Sequence, residues 1–397
     1  MWRLSFFFHE IAFGLLSIFI PLYVVTPAVG GSLFHLGVMT SMALLLSIPA
    51  SFLWGYICDK TRRYKRYILL SFVSVAALLY FLTFASDIST FIILYVVMAV
   101  LHVAHEAPKN VLIAEHYPRE NWGKSYALYE GFTEIGWLIG LITGLFTATI
   151  ALSPTYILLL CSGLNVAAFV LAIFFVADPL IIFERRLVSI EKKIDYTYNG
   201  AQIFSKLADG LPLREKLKSE NFALFGAGLI LFSLASSLFF TPLPIFFSSA
   251  LALPENMVFL IYILNSSGTM TGYFLAGKKS ATFNSKSYVQ RLVLLRSILV
   301  ISLALIVNFA FSPALLASAI LIFMGFAYGF YHILTLSLSM ELIPAGKAGL
   351  FDVLVGLGAS LGSFLGPFIA ENFGFLPQFL IASAIFFMAY VFFKIFS

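Results

Sequence analysis

The sequence predicts an all-α integral membrane protein with twelve transmembrane helices in two pseudo-symmetric six-helix bundles, and with N and C termini cytoplasmic. Three observations predict it. Apolar segments long enough to cross a bilayer alternate with short polar gaps, the cations occupy only every second gap, and the two halves share a sequence register.

Composition sets the solvent. A chain that is 61% hydrophobic and 11% charged, with 44 Phe, has too little polar surface to cover a soluble globule of its size. Its 24 Lys and Arg cluster at Arg3, Lys60 to Arg66, Lys109 to Lys124, Arg185 to Lys218, Lys278 to Arg296, Lys347 and Lys394. The gaps around Thr26 to Ser32, Ser86 to Thr90, Ala151 to Thr155, Ser248 to Asn256, Phe311 to Pro313 and Glu371 to Pro377 hold none. Basic loops stay in the cytoplasm during insertion, so the chain is expected to start and end inside. Cations so placed meet anionic headgroups, which makes membrane lipids the expected partner and nucleic acid an unexpected one. Cys58 and Cys161 fall at or inside apolar segments, so neither a disulfide nor a metal framework is expected. The first apolar stretch is long, lacks a small-residue cleavage site before Gly30 and precedes many more spans, which argues against a cleaved signal peptide.

A helix needs about 20 apolar residues to cross the hydrocarbon core. The first six such segments lie near Leu4 to Val25, Phe34 to Ile57, Tyr67 to Ala85, Phe91 to Ile113, Gly123 to Ile150 and Tyr156 to Ala177. The second six lie near Phe222 to Phe247, Met257 to Ala276, Tyr288 to Phe309, Ala314 to Leu342, Gly346 to Ala370 and Gln378 to Phe396. The expected organisation is a bundle at 1–177, a linker at 178–221 and a bundle at 222–397. The linker alternates charge sign, as in ERRLVSIEKK and LREKLKSE, which suits amphipathic helices on the inner membrane surface.

The halves align with each other. YEGFTEIGWLIGLITGLF in span 5 matches FDVLVGLGASLGSFLGPF in span 11, setting Glu130 against Asp352 and Gly136, Gly140, Gly144 against Gly358, Gly362, Gly366. GYICDK after span 2 corresponds to GYFLAGKK after span 8, and IAEHYP to SMELIP. Parallel repeats related by an axis along the membrane normal are one arrangement that supports alternating access. Glycines at intervals of four are expected to let helices pack closely at the interface of the halves.

The loop GYICDKTRRYKR resembles the signature between helices 2 and 3 of the major facilitator superfamily: Gly, three residues, Asp, Arg or Lys, any residue, Gly, then basic residues. Gly55, Asp59, Lys60, Arg63, Lys65 and Arg66 match it, while Arg62 stands where the second Gly is usual. The resemblance, carried also by the duplication and the central linker, covers essentially the whole chain. It implies the twelve-helix fold of secondary transporters, a central cavity lined by helices 1, 4, 7 and 10, and a cytoplasmic latch that favours the outward-facing state. Gly55 would let helix 2 approach the other half, Asp59 would face the N-terminal end of helix 11 near Gly346, and the cations would pair with Glu115. Asp352 lies near the inner end and is assigned to the same latch. A plainer reading is a basic loop that only sets topology; Asp59 argues against it, because the second-half loop keeps Gly272, Lys278 and Lys279 but has Ala276 at that place. A related Gly-Pro motif on helix 5 marks proton-coupled exporters of the family, and here Leu141 takes the proline position after Gly140.

Ionisable groups inside a bilayer are expensive and mark pathways. Span 4 carries His102, His105, Glu106 and Lys109 within an arc of roughly 100°, span 5 carries Glu130 and Glu134 one turn apart, and span 1 adds His9 and Glu10. His9 and Lys109 are expected to snorkel to the inner headgroups. A carboxylate with His or Lys neighbours in a restricted cavity suits proton coupling, whereas a fixed ion-pair network would only hold helices together. The second half offers Asn265, Tyr328 and His332, the last at the repeat position of Glu106. Arg291 and Arg296 are expected near the inner boundary, which leaves no central Arg for an anionic substrate.

These residues point to a secondary transporter of a small molecule, acting as a monomer without cofactor in the cell membrane, a prokaryotic plasma membrane being expected. Glu106 and Glu130, with Glu134 and Glu10, are the expected proton-coupling groups, and His105 and His332 tune charge or touch substrate. Export of an amphipathic or cationic compound is favoured over symport of a nutrient or organic anion, or facilitated import. Another class, a membrane receptor or intramembrane enzyme, is less consistent. The HExxH-like starts at His9 and His105 have Phe13 and Lys109 where the second zinc ligand belongs, and no GxxxxGK[ST] phosphate loop is present.

Overall fold

A computed structural model describes residues 2–116, 122–178, 222–279, 285–306, 313–342 and 349–396. Within them the chain is helical, and twelve helices are long and apolar enough to span a membrane. They are α1 (Arg3–Val24), α2 (Leu33–Thr61), α3 (Tyr64–Leu82), α4 (Ile88–His102 continued by Glu106–His116), α5 (Trp122–Thr149) and α6 (Pro154–Phe175). The second set is α7 (Phe222–Phe240, followed by Leu243–Ile245), α8 (Glu255–Lys279), α9 (Ser285–Ile306), α10 (Pro313–Leu342), α11 (Gly349–Phe373) and α12 (Phe375–Phe396). The expected linker lies outside the described residues apart from Asp178, as does the Gly346 start of α11.

Local chemistry explains several ends and breaks. Ser32 caps α2 in a box closed by the His35 side chain, and Asp87 caps α4 by accepting from the Thr90 backbone N–H at 2.8 Å. Pro154 starts α6, where its missing N–H costs nothing. Pro108 cannot donate to the carbonyl of Ala104, and α4 passes through a 3₁₀ turn at Val103–His105. Pro242 and Pro244 interrupt α7 in the same way, and a π turn follows at Phe246–Ala250. The second glycine of the loop motif is replaced by Arg62, yet the backbone keeps the left-handed conformation that glycine favours, with φ 54° and ψ 30°, and its N–H donates to Cys58 O at 2.7 Å.

Glycine spacing serves a different interface from the expected one. An added Cβ on Gly140 would lie 2.8 Å from Leu15 N and 3.0 Å from Gly14 Cα, and one on Gly136 3.1 Å from Glu10 Cβ. These glycines therefore join α5 to α1 inside the first bundle, and Gly358, Gly362 and Gly366 join α11 to Ile230, Leu234 and Leu238 of α7 inside the second. Only Gly144 of the two series turns to the other bundle, against Phe259 of α8. The reason is that α5 and α11 each sit between a partner in their own bundle and one across the seam, and the small-residue face is spent on the closer, backbone-to-backbone contact.

Across the seam, α2 packs on α11, α5 on α8, and α1 on the end of α7. On the cation-free side Phe34 N–H donates to the Glu371 carboxylate, and a Cβ added on Gly37 would lie 3.3 Å from Pro367 Cβ. Toward the basic side the α2–α11 contact runs as far as Ile48 against Gly356. Around Gly55 an added Cβ would meet, among the described residues, only Ala107 of the same bundle at 3.9 Å. The described contacts thus join the bundles at the cation-free side and along α5–α8.

Candidate functional site

Helices α1, α4 and α5 bring Glu10, Glu106, Glu130, Glu134 and Lys109 within electrostatic reach of one another. Lys109 does not snorkel. It is 14% exposed, ion-paired with Glu106 one turn earlier, and its ammonium lies 5.7 Å from the Tyr129 ring centroid. The salt bridge is local to α4, because the chain restarts its α-helix at Glu106 and sets residues three apart on one face. Glu10 and Glu130 are half-buried and have no ion pair among the described residues. Glu134 accepts from Ser266 Oγ at 2.5 Å, and Ser266, on α8, is buried. That bond crosses from one bundle to the other.

Behind the acids stands a histidine group. His9 is fully buried rather than directed to the headgroups. Asn165 Nδ2 donates to Cys161 O, which turns its Oδ1 toward His9 and makes His9 Nδ1 the donor at 2.6 Å. His9 Nε2 therefore accepts, and His102 Nδ1 faces it at 3.2 Å. His105 Nδ1 donates to His102 O at 2.7 Å, while its Nε2 faces Glu106 Oε1 at 3.3 Å. With Nδ1–H committed, the Nε2 and carboxylate lone pairs confront each other unless one of them carries a proton, so this contact can hold one. His9, His102 and His105 also offer nitrogens within 4.8 Å of each other, close enough for a metal ion. The HExxH test was blind to that set, because it draws on two helices. Each ring is already engaged by hydrogen bonding without an ion.

Tyr328 and His332 of α10 face this cluster from the second bundle. His332 stacks on Tyr328 at 5.8 Å, meets Tyr273 edge-on at 6.0 Å, and lies within reach of Glu130 and Lys109. Asn265 is turned away from the N-terminal acids, donating to Leu321 O at 2.8 Å and so tying α8 to α10. Of the latch residues, Asp59, Lys60, Arg63 and Arg66 are exposed, with Lys60 5.9 Å from the Tyr56 ring centroid. Lys65 ties the loop to its own bundle, its backbone N–H donating to Asp178 at 2.8 Å and its Nζ to Ile173 O at 2.6 Å. Asp352 is exposed and within reach of Glu106 and Lys109. The side chain of Glu115 lies outside the described residues.

Arg296 is not at the inner boundary. It is ten residues beyond Lys286, where the span begins, hence about 15 Å along a hydrocarbon core of about 30 Å. It is 1% exposed and has no carboxylate partner among the described residues. Its guanidinium carbon lies 5.0 Å from the Phe232 ring centroid, 5.5 Å from Phe240, 5.4 Å from Tyr328 and 5.2 Å from Phe386. Such ring faces offset up to about 2 kcal/mol each of a desolvation cost of several kcal/mol. Nε and Nη1 nevertheless have no hydrogen-bond partner. The expected absence of a central Arg, and with it the argument for a cationic over an anionic compound, is corrected by this placement. A cation midway along a 20-residue span was the available signal.

The sequence profile of the Major Facilitator Superfamily matches residues 4–354. Multidrug resistance protein MdtG of Rahnella sp. (strain Y9602) is 28% identical over 200 residues, 49% of this chain and 45% of that protein, so the match spans less than half of the relative's length. The crystal structure of a D-xylose-proton symporter superposes with a TM-score of 0.72 at 16% identity, covering 98% of this chain and 96% of that one, a likeness of fold.

Proposed function

Since this chain belongs to the Major Facilitator Superfamily, we propose that it is a proton-coupled secondary active transporter that works by alternating access and exports an amphipathic small molecule. The chain is a multi-pass membrane transporter and not an enzyme.

The observation that carries proton coupling is that four carboxylates, Glu10, Glu106, Glu130 and Glu134, share one described ammonium, Lys109. Four like charges in a confined, partly dry space cannot all stay ionised against one cation at small cost, so uptake of a proton relieves the cluster. Glu134 links that uptake to movement. Its charge-assisted bond from Ser266 spans α5 and α8, and protonation weakens the bond at the seam where the bundles rock. Gly55, Asp59, Lys60, Arg63, Arg66 and Asp352 then serve as the latch of the opposite state. Export is supported by the partly matched glycine motif on α5 and by the resemblance to a protein named for multidrug resistance. Both bundles come from one chain, so a monomer completes the site, and an energised cell membrane supplies the gradient.

Flux of an amphipathic dye in proteoliposomes of the purified protein, driven by an imposed proton gradient, tests the reading. Glu106→Gln and Glu130→Gln, singly and together, are expected to lower gradient-driven flux and flatten its pH dependence. Unchanged flux and pH dependence in the double variant would end the coupling proposal.

A further inference from the structure

We propose that Arg296 is the anchor for an acidic group on the transported compound, so that the substrate is an amphipathic organic anion, a carboxylate or sulfonate on an apolar frame. This rests on the transporter reading above but holds for either direction of movement.

The Arg296 guanidinium carries an unmet charge. An ionised guanidinium presents five N–H donors in a planar fork that fits carboxylate-type oxygens, and here two of its three nitrogens bond to nothing. A buried cation without an anion is normally repaired by a neighbouring Asp or Glu. Among the described residues the second bundle pairs none with it: the carboxylates of the polar cluster stand on α1, α4 and α5, and neither described ion pair involves Arg296. What surrounds the group is apolar and aromatic, from α7, α10 and α12. Such surroundings suit an apolar frame and reward a single negative charge, while repelling a cation.

Access has a structural basis too. Phe232 and Phe386 are closed in, at 3% and 0% exposed, whereas Phe240 and Tyr328 are only partly buried. Phe240 is the last residue of the main α7 helix, directly before the Pro242 break. A ring at a helix end can swing without disturbing a helical turn, so it is the side through which the acid group reaches the guanidinium. Tyr328, stacked on His332, stands between the guanidinium and the region facing Glu130. Anion and proton would then be held in different bundles, which lets one molecule carry both charges without their competing for one residue.

The test uses purified full-length protein with 1-naphthoate, 1-naphthalenesulfonate and the neutral isostere 1-naphthamide, read by thermal stabilisation in detergent and by counterflow in proteoliposomes. Wild type is expected to bind at least one of the two anions roughly tenfold or more tightly than the amide, as a charge-assisted bidentate contact implies. Arg296→Met keeps a long apolar side chain against the rings and is expected to erase that discrimination. Arg296→Lys keeps the charge, loses the fork and falls between. Should the Met variant fail to fold, the Lys variant carries the test. A purely structural cation–π clamp would lower stability without changing the anion-to-amide ratio, and an unchanged ratio overturns the proposal. So does wild type that binds neither anion, or binds them no better than the amide. Gradient-driven flux of a cationic dye that survives Arg296→Met, without anion binding, would sink this inference and leave the transporter reading intact. Anion binding in detergent without any gradient-driven flux would do the reverse.

Discussion

Replacing Glu134 by Gln should mimic the protonated carboxyl at the seam and so bias the protein toward the state that wild type reaches at acidic pH. The structure gives the size of the effect. Ser266 donates to a partly buried carboxylate at 2.5 Å across α5 and α8. A hydrogen bond to a charged group contributes about 1.5–3 kcal/mol and a neutral one about 0.5–1.5 kcal/mol, so the substitution removes about 1–1.5 kcal/mol of inter-bundle attachment. If the two residues separate in the alternative state, the ratio of states changes roughly fivefold to tenfold. Spin labels at Thr61 and Lys394, both exposed at the basic ends of α2 and α12, report the distance between bundles. Wild type should shift its distance distribution as pH falls, and Glu134→Gln should already lie toward the acid distribution at neutral pH, with a weaker pH response. A variant whose distribution and pH response match wild type would refute the reasoning, since Glu134 would then be a static partner of Ser266.

Two further predictions concern the scaffold. Gly140→Ala forces a methyl against backbone atoms of α1, with Leu15 N at 2.8 Å, and should destabilise the protein by about 1–3 kcal/mol. Gly163→Ala on α6, which would meet nothing within 4 Å, serves as the matched control, and equal unfolding midpoints for the two variants would contradict the close α1–α5 packing. Arg62→Gly relieves a left-handed residue at the end of α2 and should raise the midpoint, by about 1 kcal/mol in stability terms. A lowered midpoint would mean that the Arg62 side chain contributes more than its backbone strain costs.

The helices were legible in the sequence because bilayer thickness imposes a length and insertion imposes a charge pattern, and both act residue by residue. Thus α2 differs from its expected segment mainly by running on through Thr61, into the stretch read from the sequence as a loop. Partners were not legible. A glycine every fourth residue defines a face of α5 but not which helix covers it, and the face proved to meet α1. Nothing about Ser266, 132 residues from Glu134, distinguishes it from other serines on apolar helices. The cation count misled at Arg296, because a rule that assigns cations to the inside carries no depth, whereas counting turns from Lys286 does. Together these placements divide the chemistry between two bundles of like fold. The first holds Glu10, Glu106, Glu130, Glu134, the three clustered histidines and Lys109, and the second Arg296 among rings, with His332 facing the acids. Since duplicated scaffolds with opposite charge can communicate only where they touch, a proton bound in the first bundle can affect the second chiefly through the α5–α8 contact, and Glu134 with Ser266 stands at that crossing.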